Sequence, residues 1–326
     1  MHILKGYTKQ EISWMMYDWA NSAHSVIIVT LLPIFFDTVA GYTADSVSSM
    51  STWGYATSIA MLIVALAAPF LGVFGDIRGM RKKLFSFFML LGVAACAGMA
   101  FTPGMDFTSG PVAAGKVASL ILVLYIVSVI GFDASAIYYD AFLTDVTTED
   151  RMDSVSTLGY GLGYIGGSTI PLLIFLIMNA VGVPMLTSLA IIFAITAVWW
   201  LVFSLPLLKN CEQTTGKPYE KGDVGASIKN VFTTMKEIGA DKPMLVYILS
   251  YFFYIDGVHT IISMSTSYGT NLGLDSAGML LALLLVQVLG LPFCLLYMKL
   301  AENSARARWW AWASACICLS ACLRSL

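Results

Sequence analysis

The sequence predicts an all-α polytopic membrane protein, and three observations carry that expectation. Of the 326 residues, 58% are A, V, I, L, M, F, W, Y or C and only 12% are charged. Soluble domains average roughly 45–50% apolar residues and about 25% charge. The apolar residues gather into runs of the ~20-residue length that a bilayer-crossing helix needs, without the ~10-residue alternating segments of a β-barrel. Lys and Arg alternate sides: assigned to successive inter-span segments, sixteen fall on one side and two on the other. Such a bias marks the cytoplasmic face. The mean hydropathy of +0.79 excludes an ordinary soluble enzyme. A formal net charge of −2 leaves no basic surplus for phosphates, so no nucleic-acid partner is expected.

The chain opens MHILKGYTKQEIS, which is polar and has no small-residue cleavage site after a short apolar core. The first run is therefore expected to be a retained helix and not a signal peptide. Spans are expected near 13–38, 53–75, 84–103, 117–143, 154–179, 185–208, 244–266 and 276–299, and a further stretch covers 309–324. Trp14, Trp53, Trp199 and Trp200 fall near span ends and read as interfacial anchors. Between the sixth and seventh spans lies the longest polar segment, 209–243, in which Val224, Ile228, Phe232, Met235 and Ile238 recur at helical spacing. That pattern predicts an amphipathic helix on the cytoplasmic membrane surface. The expected organisation is a six-helix half at 1–208, a cytoplasmic linker at 209–243 and a partial second half at 244–326. An internal repeat supports it: Asn21-Ser22-Ala23-His24-Ser25-Val26-Ile27 matches Asp256-Gly257-Val258-His259-Thr260-Ile261-Ile262, each in the first helix of its half.

Of the six cysteines, Cys96 and Cys294 lie within spans, Cys211 in a loop, and Cys316, Cys318 and Cys322 in the terminal stretch without a nearby histidine. Neither a disulfide framework nor a metal centre is expected, and no cofactor motif occurs. The sharpest motif is Gly72-Val73-Phe74-Gly75-Asp76-Ile77-Arg78-Gly79-Met80-Arg81-Lys82-Lys83, at the turn between the second and third spans. Gly79 permits a tight reversal, and Asp76 can pair with an arginine at the membrane edge.

This pattern resembles the loop motif of the major facilitator superfamily, G-x-x-x-D-x-x-G-x-[RK]-[RK], through Gly72, Asp76, Gly79, Arg81 and Lys82. Ile77 and Met80 stand where that superfamily often carries basic residues. Tyr17-Asp18-Trp19-Ala20-Asn21-Ser22-Ala23 resembles the signature of the autophagy-related vacuolar effluxer family. Segments starting at Tyr139, Gly159 and Tyr254 resemble its fourth, fifth and seventh helices, with Asp140 and Thr144 as departures. The resemblance implies a twelve-helix transporter whose fungal relatives export amino acids from the vacuole.

Carboxylates within spans are costly, by ~3 kcal/mol each on insertion scales, and so are expected to face the bundle interior. Asp18, Asn21, Ser22 and Ser25 share one helical face, and Asp256, His259, Thr260 and Ser263 repeat that spacing. Asp133 and Asp140 are seven residues apart on one face of the fourth span. The expected substrate and proton pathway comprises Asp18, Asn21, His24, Asp133, Asp140, Asp256 and His259, with Asp256 and His259 as first relay candidates. Gly159, Gly163 and Gly167 recur every fourth residue as a helix-packing face.

The function expected is secondary active transport of a small organic solute through the cell membrane, with the N-terminus cytoplasmic and protons as the coupling partner. A transporter-derived sensor is the alternative; an intramembrane enzyme lacks a catalytic set of residues. Near residue 303 the resemblance fades. The tail ARARWWAWASACICLSACLRSL reads as the end of a truncated or frameshifted product, with about nine of twelve helices present.

Overall fold

The computed structural model describes residues 4–43, 46–216, 218 and 223–303. The stretch expected at 309–324 lies outside the described residues. Among them, eight helices are long and apolar enough to cross a membrane, and each coincides with one of the expected runs. In chain order the α-helices are α1 Lys9–Ala40, α2 Ser46–Gly75, α3 Arg81–Met99, α4 Pro111–Val146, α5 Met152–Leu162, α6 Ile170–Ala180, α7 Met185–Asn210, α8 Asp223–Ala240, α9 Lys242–Asn271 and α10 Ser276–Asn303. A π-helical stretch, Gly163–Thr169, joins α5 to α6 within the fifth span.

α1 is the axis of the packing. It touches α4, α5, the π-helical stretch and α7, while α3 pairs with α4 and α7. α9 lies against α1 and α2, and α10 lies against α5 and the π-helical stretch. Glycine sets the close crossing of α3 and α4: a Cβ at Gly131 of α4 would stand 2.5 Å from the Gly92 nitrogen of α3. Small residues let helix backbones meet where lipid offers no hydrophobic drive for association.

Three of the four tryptophans expected at the interface are packed inside instead, while Trp199 is partly exposed. Trp14, Trp53 and Trp200 are 2%, 1% and 0% exposed. Facing glycines make the room: a Cβ at Gly92 would lie 2.4 Å from the Trp200 ring, and one at Gly159 would lie 3.3 Å from the Trp14 ring. Trp14 stacks on Tyr139 at 4.3 Å between centroids, and Trp53 meets Tyr125 at 4.2 Å. Each aromatic pair adds about 0.5–1.5 kcal/mol beyond the area it buries.

α8 occupies the place of the expected amphipathic helix. Phe232 and Met235 are exposed on it, and the Phe232 ring comes within 6.2 Å of Phe70 on α2.

Candidate functional site

Two periodic features of the sequence meet in space. Asp18 and Ser22, one turn apart on α1, face Gly159, Gly163 and Gly167 of the fifth span. A Cβ at Gly159 would stand 2.5 Å from Asp18 Oδ2, one at Gly163 2.5 Å from Ser22 Oγ, and one at Gly167 2.5 Å from the Trp19 carbonyl. The glycines therefore create the space that a buried carboxylate and a close helix crossing occupy together. Tyr139 of α4 donates its hydroxyl to Asp18 Oδ2 at 2.8 Å, and Trp14 Nε1 donates to the Tyr139 carbonyl at 2.9 Å. Asp140, the next residue of α4, is exposed and lies within electrostatic reach of Asp18. Tyr160 of α5 is within reach of both carboxylates.

The other pathway residues fall in distinct surroundings. Asp133 Oδ2 is buried without a hydrogen-bond partner. His24 is buried in the bundle core, stacked on Phe132 at 4.9 Å and beside Trp200 at 5.0 Å, and both its ring nitrogens are unpartnered. Asn21 is buried one turn from Tyr17. Asp256 and His259 lie on exposed positions of α9, a turn apart. Asp18, Asp133, Asp140 and Asp256 make no ion pair among the described residues. These four acids differ in that respect from the buried Glu11 and Asp145, each of which faces an arginine.

At the end of the bundle where Lys and Arg concentrate, the 72–83 motif is built into a clasp. Gly79 has φ +81°, a left-handed conformation that favours glycine, and this lets α2 reverse into α3. Arg81, buried at the start of α3, forms an ion pair with Asp145 at the end of α4 and donates to the Ala141 carbonyl at 3.0 Å. Asp76 is largely exposed and stands 3.8 Å from Arg81, so Asp145 and not Asp76 is the principal partner. The segment after α7 closes over this pair. Gln213 Oε1 accepts from the Gly79 nitrogen at 2.9 Å, and Gln213 Nε2 donates to the Gly75 carbonyl at 3.0 Å. Thr214 and Thr215 give Asp145 Oδ1 their backbone N–H groups at 2.9 Å each. Their hydroxyls donate to the same oxygen at 2.9 and 2.8 Å. Gly216, at φ +120°, presses against the Asp76 carbonyl, from which a Cβ would be only 2.7 Å away. Lys82, the other basic residue of the motif, is partly buried at the start of α3.

A second junction ties α1 to the α4–α5 turn. Glu11 is buried and accepts from the Thr8 nitrogen at 2.7 Å, from Thr147 Oγ1 at 2.7 Å and from Arg151 Nη2 at 3.0 Å. The Glu11 nitrogen donates in return to Thr8 Oγ1, completing a capping box. Thr8-x-x-Glu11 before an apolar run is the sequence signature of such a box and could have revealed Glu11. Asp145, Gln213, Thr214 and Thr215 carry no comparable signal, because their partners lie 60 or more residues away.

The helical architecture agrees with the comparisons to known proteins. The family model described as vacuole effluxer Atg22 like matches residues 41–325. An MFS-type transporter of Bacillus subtilis strain 168, YxiO, is 42% identical over 309 residues, which is 92% of this chain and 69% of that protein. A protein of Aquifex aeolicus strain VF5 is 22% identical over 260 residues, 79% of this chain and 57% of that protein. Among solved structures, the crystal structure of a D-xylose–proton symporter covers 91% of this chain and 70% of its own, with a TM-score of 0.56 and 15% identity. That likeness shows the fold, eight apolar helices arranged as in a major facilitator transporter. The chain is a multi-pass integral membrane protein and belongs to the vacuole effluxer Atg22-like family of MFS-type transporters.

Proposed function

We propose that this protein is a secondary active transporter of a small organic solute, working by alternating access and coupled to protons. The observation that carries the reading is the set of unneutralised carboxylates in the spans. Asp18 is held by a tyrosine hydroxyl in a glycine-lined joint, and Asp133 Oδ2 is buried without a partner. A protein keeps such costly groups where a proton or a solute supplies the missing partner. The six spans up to α7 act as one half and α9 and α10 belong to the other, with the path between them. Asp18, Asn21, Asp133 and Asp140 serve from the first half, Asp256 and His259 from the second, and His24 tunes the core behind them. Amino acids are the first substrates to test, since the sequence resemblance implies fungal relatives that export them from the vacuole.

The clasp around Arg81 closes the cytoplasmic end and biases the bundle toward one access state. The sixteen-to-two distribution of Lys and Arg supports a cytoplasmic side for this clasp, and with it for the N-terminus and the 209–243 segment. The cell membrane is the proposed location.

The test is uptake by proteoliposomes under an imposed pH gradient. Accumulation of labelled solute that collapses with a protonophore supports coupling. Asp256→Asn is expected to abolish gradient-driven uptake while leaving exchange intact. Uptake that ignores the gradient overturns proton coupling, and unchanged gradient-driven uptake in Asp256→Asn removes that residue from the relay.

A further inference from the structure

We infer that α8 docks on anionic phospholipid, with Lys229 and Lys236 holding the headgroups and Phe232 and Met235 entering the acyl boundary beside them. The surface lies outside the proposed transport path and is independent of the transport reading.

The faces of α8 follow from its period. At about 100° per residue, Phe232 and Met235 stand about 60° apart and form one ridge. Lys229 and Lys236 fall within about 20° of each other, and both lie within about 60° of Phe232 on the side away from Met235. Glu237 is on the far side of the helix, about 140° or more from the ridge. The structure gives each face a different neighbour. α8 lies against α2 and α9, and Val231 and Ile238, which continue the wheel past Met235, are partly buried. Phe232 and Met235 are 59% and 58% exposed, and Lys229, Lys236 and Glu237 are exposed as well. The order around the helix is therefore a protein-facing edge, an exposed apolar ridge, a basic edge and a polar back. An interfacial helix presents the same order, with its apolar side in the acyl boundary and lysine stems reaching back to the headgroups.

Depth selects lipid over a soluble partner. α8 ends at Ala240 and the span α9 starts at Lys242, so one end of α8 is fixed where a span enters the membrane. The Phe232 ring lies 6.2 Å from the Phe70 ring, and Phe70 precedes the end of α2 at Gly75 by five residues. Five residues of helix span about 7–8 Å, which puts the ridge near the depth of about 5–10 Å at which interfacial helices seat. A soluble partner would have to reach past the headgroups to cover it.

Charge selects anionic over zwitterionic lipid. Neither Lys229 nor Lys236 makes an ion pair among the described residues. Lys209 at the end of α7 and Lys242 at the start of α9 are exposed at the same end of the bundle. A lysine close to an anionic membrane surface strengthens association about fivefold, a gain that a surface without net charge does not offer.

The test is hydrogen–deuterium exchange of the full chain in nanodiscs of phosphatidylcholine alone and of phosphatidylcholine mixed equally with phosphatidylglycerol. Amides of residues 228–238 are expected to exchange more slowly, on the order of tenfold, in the discs that hold phosphatidylglycerol. Lys229→Gln combined with Lys236→Gln is expected to remove that difference and leave exchange in phosphatidylcholine unchanged. Phe232→Ser combined with Met235→Ser is expected to speed exchange of α8 in both discs. Salt at 1 M, where the screening length falls to about 3 Å, is expected to bring the two discs together. Glycerophosphoglycerol, the free headgroup, is expected to change nothing when added to phosphatidylcholine discs. Each variant is first matched to the parent in size-exclusion profile and in the exchange of α1 and α4. Equal exchange in the two discs, a phosphatidylglycerol effect that survives the double lysine variant, or the same slowing by the free headgroup overturns the inference. Slow exchange in phosphatidylcholine that the double serine variant leaves unaltered would show the ridge covered by protein, a second copy included, and would overturn it too.

Discussion

Breaking the Arg81–Asp145 pair is the perturbation whose cost follows most directly from the structure. The side chains are 5% and 0% exposed. In Arg81→Met the Asp145 carboxylate stays buried and loses its only charged partner among the described residues. Removing one member of a buried pair costs about 3–5 kcal/mol because the other charge is left uncompensated. Here Asp145 keeps two backbone N–H groups and two hydroxyls from Thr214 and Thr215, which places the loss near the lower bound, about 3 kcal/mol. Asp145→Leu strands the guanidinium, which keeps the Ala141 carbonyl and Thr215 Oγ1 but has only the distant Asp76 as an anion, so a similar loss of about 3 kcal/mol is expected. The double variant removes both charges together and should lose less than the sum, giving a coupling of about 2 kcal/mol. Equilibrium unfolding in mixed micelles, followed by tryptophan fluorescence, measures all four corners of the cycle. Additive losses would show that the pair is not a coupled unit and would refute the clasp.

The remaining predictions concern other layers of the fold. Gly167→Ala should destabilise by about 1–3 kcal/mol, because its Cβ meets the Trp19 backbone carbonyl, while Gly115→Ala, open within 4 Å, should be neutral or stabilising in the same unfolding assay. Glu11→Ala removes the acceptor of Thr8, Thr147 and Arg151 and should cost about 2–3 kcal/mol, with Glu11→Gln losing less because the amide oxygen still accepts. Burial pushes the Cys211 thiol up to about 12 from an ordinary 9.0, so the folded state holds its proton more tightly than the unfolded state. Its contribution to stability should be constant below pH 9 and decline between pH 9 and 12. Maleimide at pH 8 should label it only on unfolding, and labelling of the native protein at a free-thiol rate would contradict its burial.

The helices were legible because span length is a composition signal, and the apolar runs needed only an uninterrupted stretch to be recognised. The packing of α1 on the fifth span was legible for a related reason. The Asp18/Ser22 spacing and the Gly159/Gly163/Gly167 spacing share the period of one helical turn, although neither stripe announces the other as its partner. The tryptophans were misread because proximity to a span end was taken as the deciding feature. The opposing Gly92 and Gly159, far away in sequence, decide whether an indole is accommodated inside. The loop motif located Arg81 but not Asp145, since an ion pair across 64 residues depends on how α3 and α4 pack and leaves no periodic trace. Gln287 lies inside an apolar run, where one amide changes the hydropathy little, and the burial of its unpartnered Oε1 emerges only from packing. Asp256 and His259 do lie a turn apart, as their spacing dictates, but periodicity alone says nothing about what faces them.

Counterflow tests the central claim most directly, because it requires one site to face both sides of the membrane in turn and needs no coupling ion. Proteoliposomes holding the protein are loaded with an unlabelled mixture of amino acids and amines and diluted into a trace of each labelled compound. Alternating access predicts that at least one label rises transiently inside above its external concentration and then decays as the internal pool is exchanged away. A label that binds the protein yet only equilibrates, with no overshoot, would contradict the account.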